Sequence, residues 1–152
     1  MAKARVETAL CGLLLVNPEV RALIATDNTP PRIYWGMAPA NVANSADRYV
    51  VFRRLTDQPD NTGSGHSGMT IAQYAFACWS KISLDDATNL ADAIEEVFDD
   101  ACASGTFVAS GVTIQGLRSD GQTDDLESPW EGGETGLSAR VVRCTVAYET
   151  AG

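Results

Sequence analysis

"MTIAQYAFACWS", residues 69–80, is the stretch on which the fold class turns. Tyr74, Phe76 and Cys78 alternate with Ala75, Ala77 and Trp79, a period of two with apolar or small residues on both faces. That is the pattern of a long central strand covered on at least one side. Just downstream, Ser83 precedes Asp86 by three residues, an imperfect capping box with aspartate in place of the usual Glu or Gln, and acids in a first turn suit the helix dipole. A helix is therefore predicted from there. Ala87, Leu90, Ala91, Ile94, Val97, Phe98 and Ala101 form one apolar stripe, while Asp92, Glu95, Glu96, Asp99 and Asp100 fall mostly elsewhere, so this helix packs on the sheet. Gly105 supplies its stop. Nothing arranges the acids convergently, and they read as a solvated face rather than a metal site.

Upstream of the central strand, "DNTGSGHSGM" at 60–69 joins it to "YVVFRRL" at 49–55, and "RIYWG" at 32–36 is a further β-rich run. The Gly, Ser, Asn and Asp cluster predicts a long loop over about 56–69. His66, the only histidine, beside Ser67 with Asp57 and Asp60 upstream, supplies the residue types of a small Ser/His hydrolase. The spacing opposes it. Gly65-His66-Ser67-Gly68 is followed by Met69 rather than the glycine of a nucleophile elbow, and no helix follows. A phosphate loop fails as well, since the only lysines are Lys3 and Lys81.

At the N-terminal end, Val6, Ala9, Leu10, Leu13 and Leu14 recur at helical spacing and predict an amphipathic helix over about 3–16. Asn17-Pro18 then restarts the chain as N-cap and first helical residue, giving a short helical turn from Pro18 to Ala25 before Pro30-Pro31. The apolar run Ala9–Val16 is too short to span a bilayer and follows Cys11 where a lipoprotein signal would precede it. It reads as a mature helix, with no membrane partner. At the C-terminal end "GVTIQGL" and "SARVVRCTVAYE" predict two last strands, separated by a long acidic loop over about 119–137.

These elements make one α+β domain over 1–152: a mixed, largely antiparallel sheet of about four to five strands with two main helices packed on one face. The four cysteines, Cys11, Cys78, Cys102 and Cys144, lie far apart among apolar neighbours. They read as reduced core residues, with no metal and no cofactor expected. A net charge of -9 and a pI of about 4.4 oppose phosphate-backbone binding, which draws on Lys and Arg.

The order of these pieces resembles the tail completion or tail terminator family of long-tailed bacteriophages and prophages. The resemblance covers nearly the whole chain. It runs through "VETALCGLLLVNPEVRAL" (6–23), "RIYWGMAP" (32–39), "YVVF" (49–52), "AQYAFACWSK" (72–81) with the acidic helix after it, and "ETGLSARVVRCTVAYE" (134–149). Trp35 stands where the family commonly has a proline, Arg48 precedes Tyr49 where a proline is frequent, and the stretch around His66 is longer than usual. The resemblance implies a virion protein assembled in the host cytoplasm. It would form a ring, commonly a hexamer, that caps the tail tube, stops its polymerisation and offers a surface to the head-side neck proteins. A head completion or connector-adaptor ring is the alternative. Genomic DNA would pass the lumen without specific binding, repelled by acidic loops or by the helix face.

Candidate interface residues follow from residue type. Arg53, Arg54, Arg140 and Arg143 sit in strands of an acidic protein, and arginine is favoured at interfaces; solvated strand faces or internal ion pairs are the competing reading. Asp60, His66 and Met69 come from the glycine-rich stretch. Asp124, Asp125, Glu127, Trp130 and Glu131 come from the acidic loop, Trp130 either as a contact anchor or tucked onto its own domain.

Overall fold

The alternation at 69–80 is realised as part of a longer strand, Gly65–Ser80 (β3), hydrogen-bonded to Arg48–Thr62 (β2) on one side and to Ser138–Thr150 (β6) on the other. The computed structural model describes residues 6–24, 31–36, 48–62, 65–109, 111–124 and 138–150. Its other elements are helices Val6–Leu15 (α1), Pro18–Ile24 (α2) and Leu84–Ser104 (α3) and strands Ile33–Trp35 (β1), Phe107–Ala109 (β4) and Val112–Asp124 (β5). The sheet order is β1-β2-β3-β6-β5-β4. Only β1 and β2 are parallel; every other pair is antiparallel.

The α+β class and the mixed sheet match the expectation. The counts differ, with six strands and three helices among the described residues rather than four or five and two. β1 falls inside the β-rich run predicted at 32–36; the strand not predicted is β4, three residues and too short to show a period. It forms because β5 offers a ladder.

The expected loop over 56–69 is corrected. β2 runs to Thr62 and β3 starts at Gly65, with pairs Thr56↔Gln73, Pro59↔Thr70 and Asn61↔His66. Proline, glycine and asparagine all argue against a strand in sequence. Here the ladder tolerates them because shifts of register between Arg54 and Thr56 and between Pro59 and Asn61 absorb residues that do not fit. β6 pairs with β3 only from Met69 onward, so residues beyond that point form a two-stranded arm past the end of the sheet. The expected loop over 119–137 is likewise shortened, because β5 continues to Asp124; residues 125–137 lie outside the described residues.

One face of the sheet carries the helices. Val50, Phe52, Tyr74, Phe76, Cys78, Val142, Cys144 and Val146 join the buried stripe of α3 and the inner residues of α1 and α2 in one cluster. The predicted stripe from Ala87 to Ala101 is buried throughout. At its centre Phe76 stacks on Phe52 at 4.9 Å between ring centroids and meets Phe98 at 5.2 Å, geometries that add to simple burial. On the opposite face, at the Ser80 end, Tyr49, Trp79 and Ala139 form a smaller buried group.

The helix starts follow the predicted chemistry. Asn17 Oδ1 accepts from the amides of Glu19 (2.9 Å) and Val20 (3.1 Å), with Pro18 opening α2. Ser83 Oγ accepts from the Asp86 amide at 3.0 Å, but the Asp86 carboxylate does not return to the Ser83 amide. It accepts instead from Arg48 Nε and Ser80 Oγ, each at 2.7 Å. A cation and a hydroxyl outcompete a neutral amide for a side chain one methylene short of a full capping box, and the result ties the start of β2 to the start of α3. These bonds, the Arg48 bond foremost, hold the Asp86 carboxyl below the usual aspartate value. Ser83→Ala is expected to lower stability by about 1 kcal/mol, read from the denaturant midpoint; an unchanged midpoint would mean that the cap is solvent-competed.

Candidate interaction surfaces

Alternation sorts the four strand arginines, Arg53 and Arg54 in β2 and Arg140 and Arg143 in β6, to different fates. Arg54 stands opposite Tyr74 on the helix-covered face. Its Nη2 donates to Glu7 Oε2 at 2.7 Å and to the Tyr148 hydroxyl at 3.1 Å, and its Nε donates to the Tyr74 hydroxyl at 2.8 Å. Tyr74 in turn donates to Glu7. Arg54 is thus the hub of an internal network joining α1 to β2, β3 and β6, the ion-pair alternative raised by sequence. Glu7 is a polar side chain buried to 6 % exposure, and sequence reading passed over it. Its signal was available: a carboxylate at the start of a helix, on the face shared by Val6 and Leu10.

Arg140 also lies on the helix face. Its Nε donates to Gln122 Oε1 at 2.9 Å, and Gln122 Nε2 donates to Asp92 Oδ1 (2.8 Å) and Glu95 Oε1 (3.1 Å). Ser119 adds a bond to Glu95 Oε2 at 2.6 Å. Two of the acids read as a solvated face therefore tie α3 to β5, because the bulges of β5 rotate Ser119 and Gln122 toward the helix.

Arg53 and Arg143 take the other face and are exposed. Both stand in register with Ala75, which lies between them. One row further, Arg118 pairs with Asp120 at 3.0 Å, and Thr145 also donates to Asp120. Leu55, Gln73, Arg118, Asp120 and Arg143 line a groove of about 220 Å³. That is below the roughly 300 Å³ at which small-molecule sites begin, so the groove is better suited to receiving side chains than to enclosing a ligand.

The arm places His66 opposite Asn61. Asp57 pairs with Ala72, four residues along β2 from Asn61. Ser67 lies within a strand and not on a strand-to-helix turn, so the arm lacks the backbone of a nucleophile elbow. Asp60 falls at a shift of register and Met69 opposite Glu149. Asp124 ends β5 opposite Arg140. Asp125, Glu127, Trp130 and Glu131 lie outside the described residues. Among the described residues no three His, Cys, Asp or Glu side chains come together to hold a metal ion, and no helix is long and apolar enough to cross a membrane.

The four thiols are free. Cys78 and Cys144 are buried and Cys11 is half-buried, whereas Cys102 is exposed on α3, a correction to the expectation of four core cysteines. Burial pushes Cys11 up from 9.0 to about 11, with Glu7 adding to it, and Cys144 up to about 12, with Asp120 adding to it. It pushes Cys78 higher still, and burial followed by the bond to Glu7 raises the Tyr74 hydroxyl. These groups keep their protons in the native state while the unfolded chain releases them. Their contribution is therefore fully present below the ordinary thiol value and is lost as pH rises through the folded values. Stability, followed through the denaturant midpoint, is expected to fall from about pH 9 to about pH 12, by up to roughly 1.4 kcal/mol per pH unit for each fully shifted thiol. A flat profile would show these thiols to be open to solvent.

Comparison with known proteins bears on these surfaces. The model of the family described as tail completion protein gp17 matches residues 8–149. No curated protein sequence matches the chain. Among solved structures, a chain from "Virion of native gene transfer agent (GTA) particle" is similar in fold, with a TM-score of 0.65 and 14% sequence identity, over 95% of this chain and 94% of that one.

Proposed function

This chain belongs to the tail completion protein gp17 family, and on that premise we propose that it is the tail terminator of a phage virion. It forms a ring, a hexamer, on the last ring of the tail tube, stops tube polymerisation and presents a joining surface to the head-side neck proteins. The observation that carries this reading is the family match over nearly the whole chain.

The geometry supports it in one respect. The arm of β2 and β3 leaves the sheet at the end where β6 finishes, whereas the connection between β5 and β6 leaves at Asp124 and returns at Ser138, the end where β3 finishes and α3 begins. A subunit whose two excursions depart from opposite ends of one sheet suits a place between two different neighbours. The net charge of -9 per subunit multiplies around a ring, so a genome passing through meets a field of its own sign and is not retained on the wall. Assembly in the host cytoplasm and residence in the virion follow from the same role.

Native mass spectrometry of the purified chain, alone and mixed with its tail tube protein, tests the reading. A ring, formed alone or on the tube, is the expected result. A strict monomer that ignores the tube overturns it, and capture by a portal or adaptor protein instead would reassign the ring to the head side of the neck.

A further inference from the structure

We propose that the exposed part of the helix-free sheet face seats helix α3 of a second copy of this chain, so that each subunit of the ring contacts the next through a basic sheet face against an acidic helix. The inference rests on the ring reading given above and names the two surfaces that build it.

The sheet face has the composition of a docking surface. Arg53 and Arg143 stand in one row across it, separated by Ala75. Arg118 in the next row is balanced by Asp120, so the positive field comes from the first two. Ala75 and Gly121 share the row of the arginines, and Ala147 and Gly116 form a row two further along the same face; small side chains let a helix approach a sheet closely. Leu55, 38% exposed, and Ile71, 39% exposed in the row of Ala147, supply apolar contacts on this face.

The occupant is argued from charge. The protein is acidic as a whole, and α3, LDDATNLADAIEEVFDDACAS, in the layer opposite this face, carries seven of its twenty acids and no lysine or arginine. Asp85, Asp92, Glu96 and Asp99 are exposed and follow one another at intervals of seven, four and three along the side of α3 away from the buried stripe, Asp92 also accepting from Gln122 of its own sheet. The spacings correspond. Arg53 and Arg143 are two strands apart, about 10 Å, and carboxylates seven residues apart on a helix, such as Asp92 and Asp99, are about 10 Å apart along its axis.

Because the basic and acidic surfaces lie on opposite layers of the same subunit, the contact is head-to-tail. Such a contact repeats from copy to copy and closes only as a ring. Opposed charge at its centre makes it salt-sensitive and fixes which surface meets which.

The test is a charge exchange, read by native mass spectrometry on the full chain, alone and with the tail tube protein, after urea unfolding has shown each variant to be folded. Arg53→Glu with Arg143→Glu places acid against acid, and Asp92→Lys with Asp99→Lys places base against base. Each double variant is expected to assemble at least about tenfold more weakly than wild type. Mixed in equal amounts they are expected to recover assembly as alternating copies, since the reversed sheet of one now meets the reversed helix of the other; an even-numbered ring closes in this way. Variants that assemble and cap the tube as wild type does would overturn this assignment and leave the tail-terminator reading standing, and folded variants that fail to recover on mixing would also overturn it. A wild-type ring that ignores the tube would overturn the functional reading and leave the surfaces assigned.

Discussion

Arg54→Ala is expected to destabilise the protein by about 3 kcal/mol, whereas Arg53→Ala, one residue away, is expected to change stability by less than about 0.5 kcal/mol. Alternation along β2 separates them. Removing the Arg54 guanidinium strips Glu7, whose side chain is 8% exposed, of its only ion-pair partner among the described residues, and leaves it with the Tyr74 hydroxyl. An uncompensated buried carboxylate is the costly outcome of breaking such a pair, typically about 3–5 kcal/mol. The low end applies here because the Arg54 side chain is 28% exposed, so water screens part of the interaction.

Replacing both charges tests the mechanism. Glu7→Leu with Arg54→Leu removes the unpaired charge together with the pair and is expected to recover most of the loss, since apolar replacements of buried pairs are often neutral. Urea unfolding of the single and double variants supplies the full cycle. An additive double variant would show that Arg54 and Glu7 act independently and that the network adds nothing beyond packing.

Deleting residues 60–68, so that Pro59 and Met69 are joined by a short turn, is expected to keep the fold and remove capping of the tail tube. The arm begins where β6 ends, at the pair Met69↔Glu149, and beyond it only β2 and β3 pair with each other. An isolated two-stranded ribbon contributes little to domain stability, so the unfolding midpoint should stay within about 0.5 kcal/mol of wild type. Association with the tube protein should weaken at least about tenfold, because main-chain groups on a projecting ribbon are a ready means of pairing with a neighbour. Tube capping at wild-type strength would remove the arm from the interface. Loss of folded protein would show that the arm is part of the core unit.

Several parts of the fold were legible because their causes are local. The stripe from Ala87 to Ala101 is a property of sequence spacing, and the helix must bury it against something. Asn17-Pro18 and Ser83 mark helix starts through bonds to amides two or three residues on. The candidate surfaces were less legible. Arg53, Arg54, Arg140 and Arg143 are one residue type in similar strand sequences, yet two face the helices and two face away.

The sequence alone determined where the helices α1, α2 and α3 lie, that β3 is a long strand covered on at least one side, and that the chain is an acidic α+β protein. Period, caps and charge are written in consecutive residues, and short-range geometry reads them directly. Tertiary structure alone decided that β6 lies between β3 and β5, that the Pro- and Gly-rich residues around 56–69 pair as strands, that Arg54 closes on Glu7, and that Asp86 turns to Arg48 rather than to its own helix cap. Each of these depends on a partner many residues away. The energy of a ladder or an ion pair belongs to the meeting of two segments, and neither segment carries it alone.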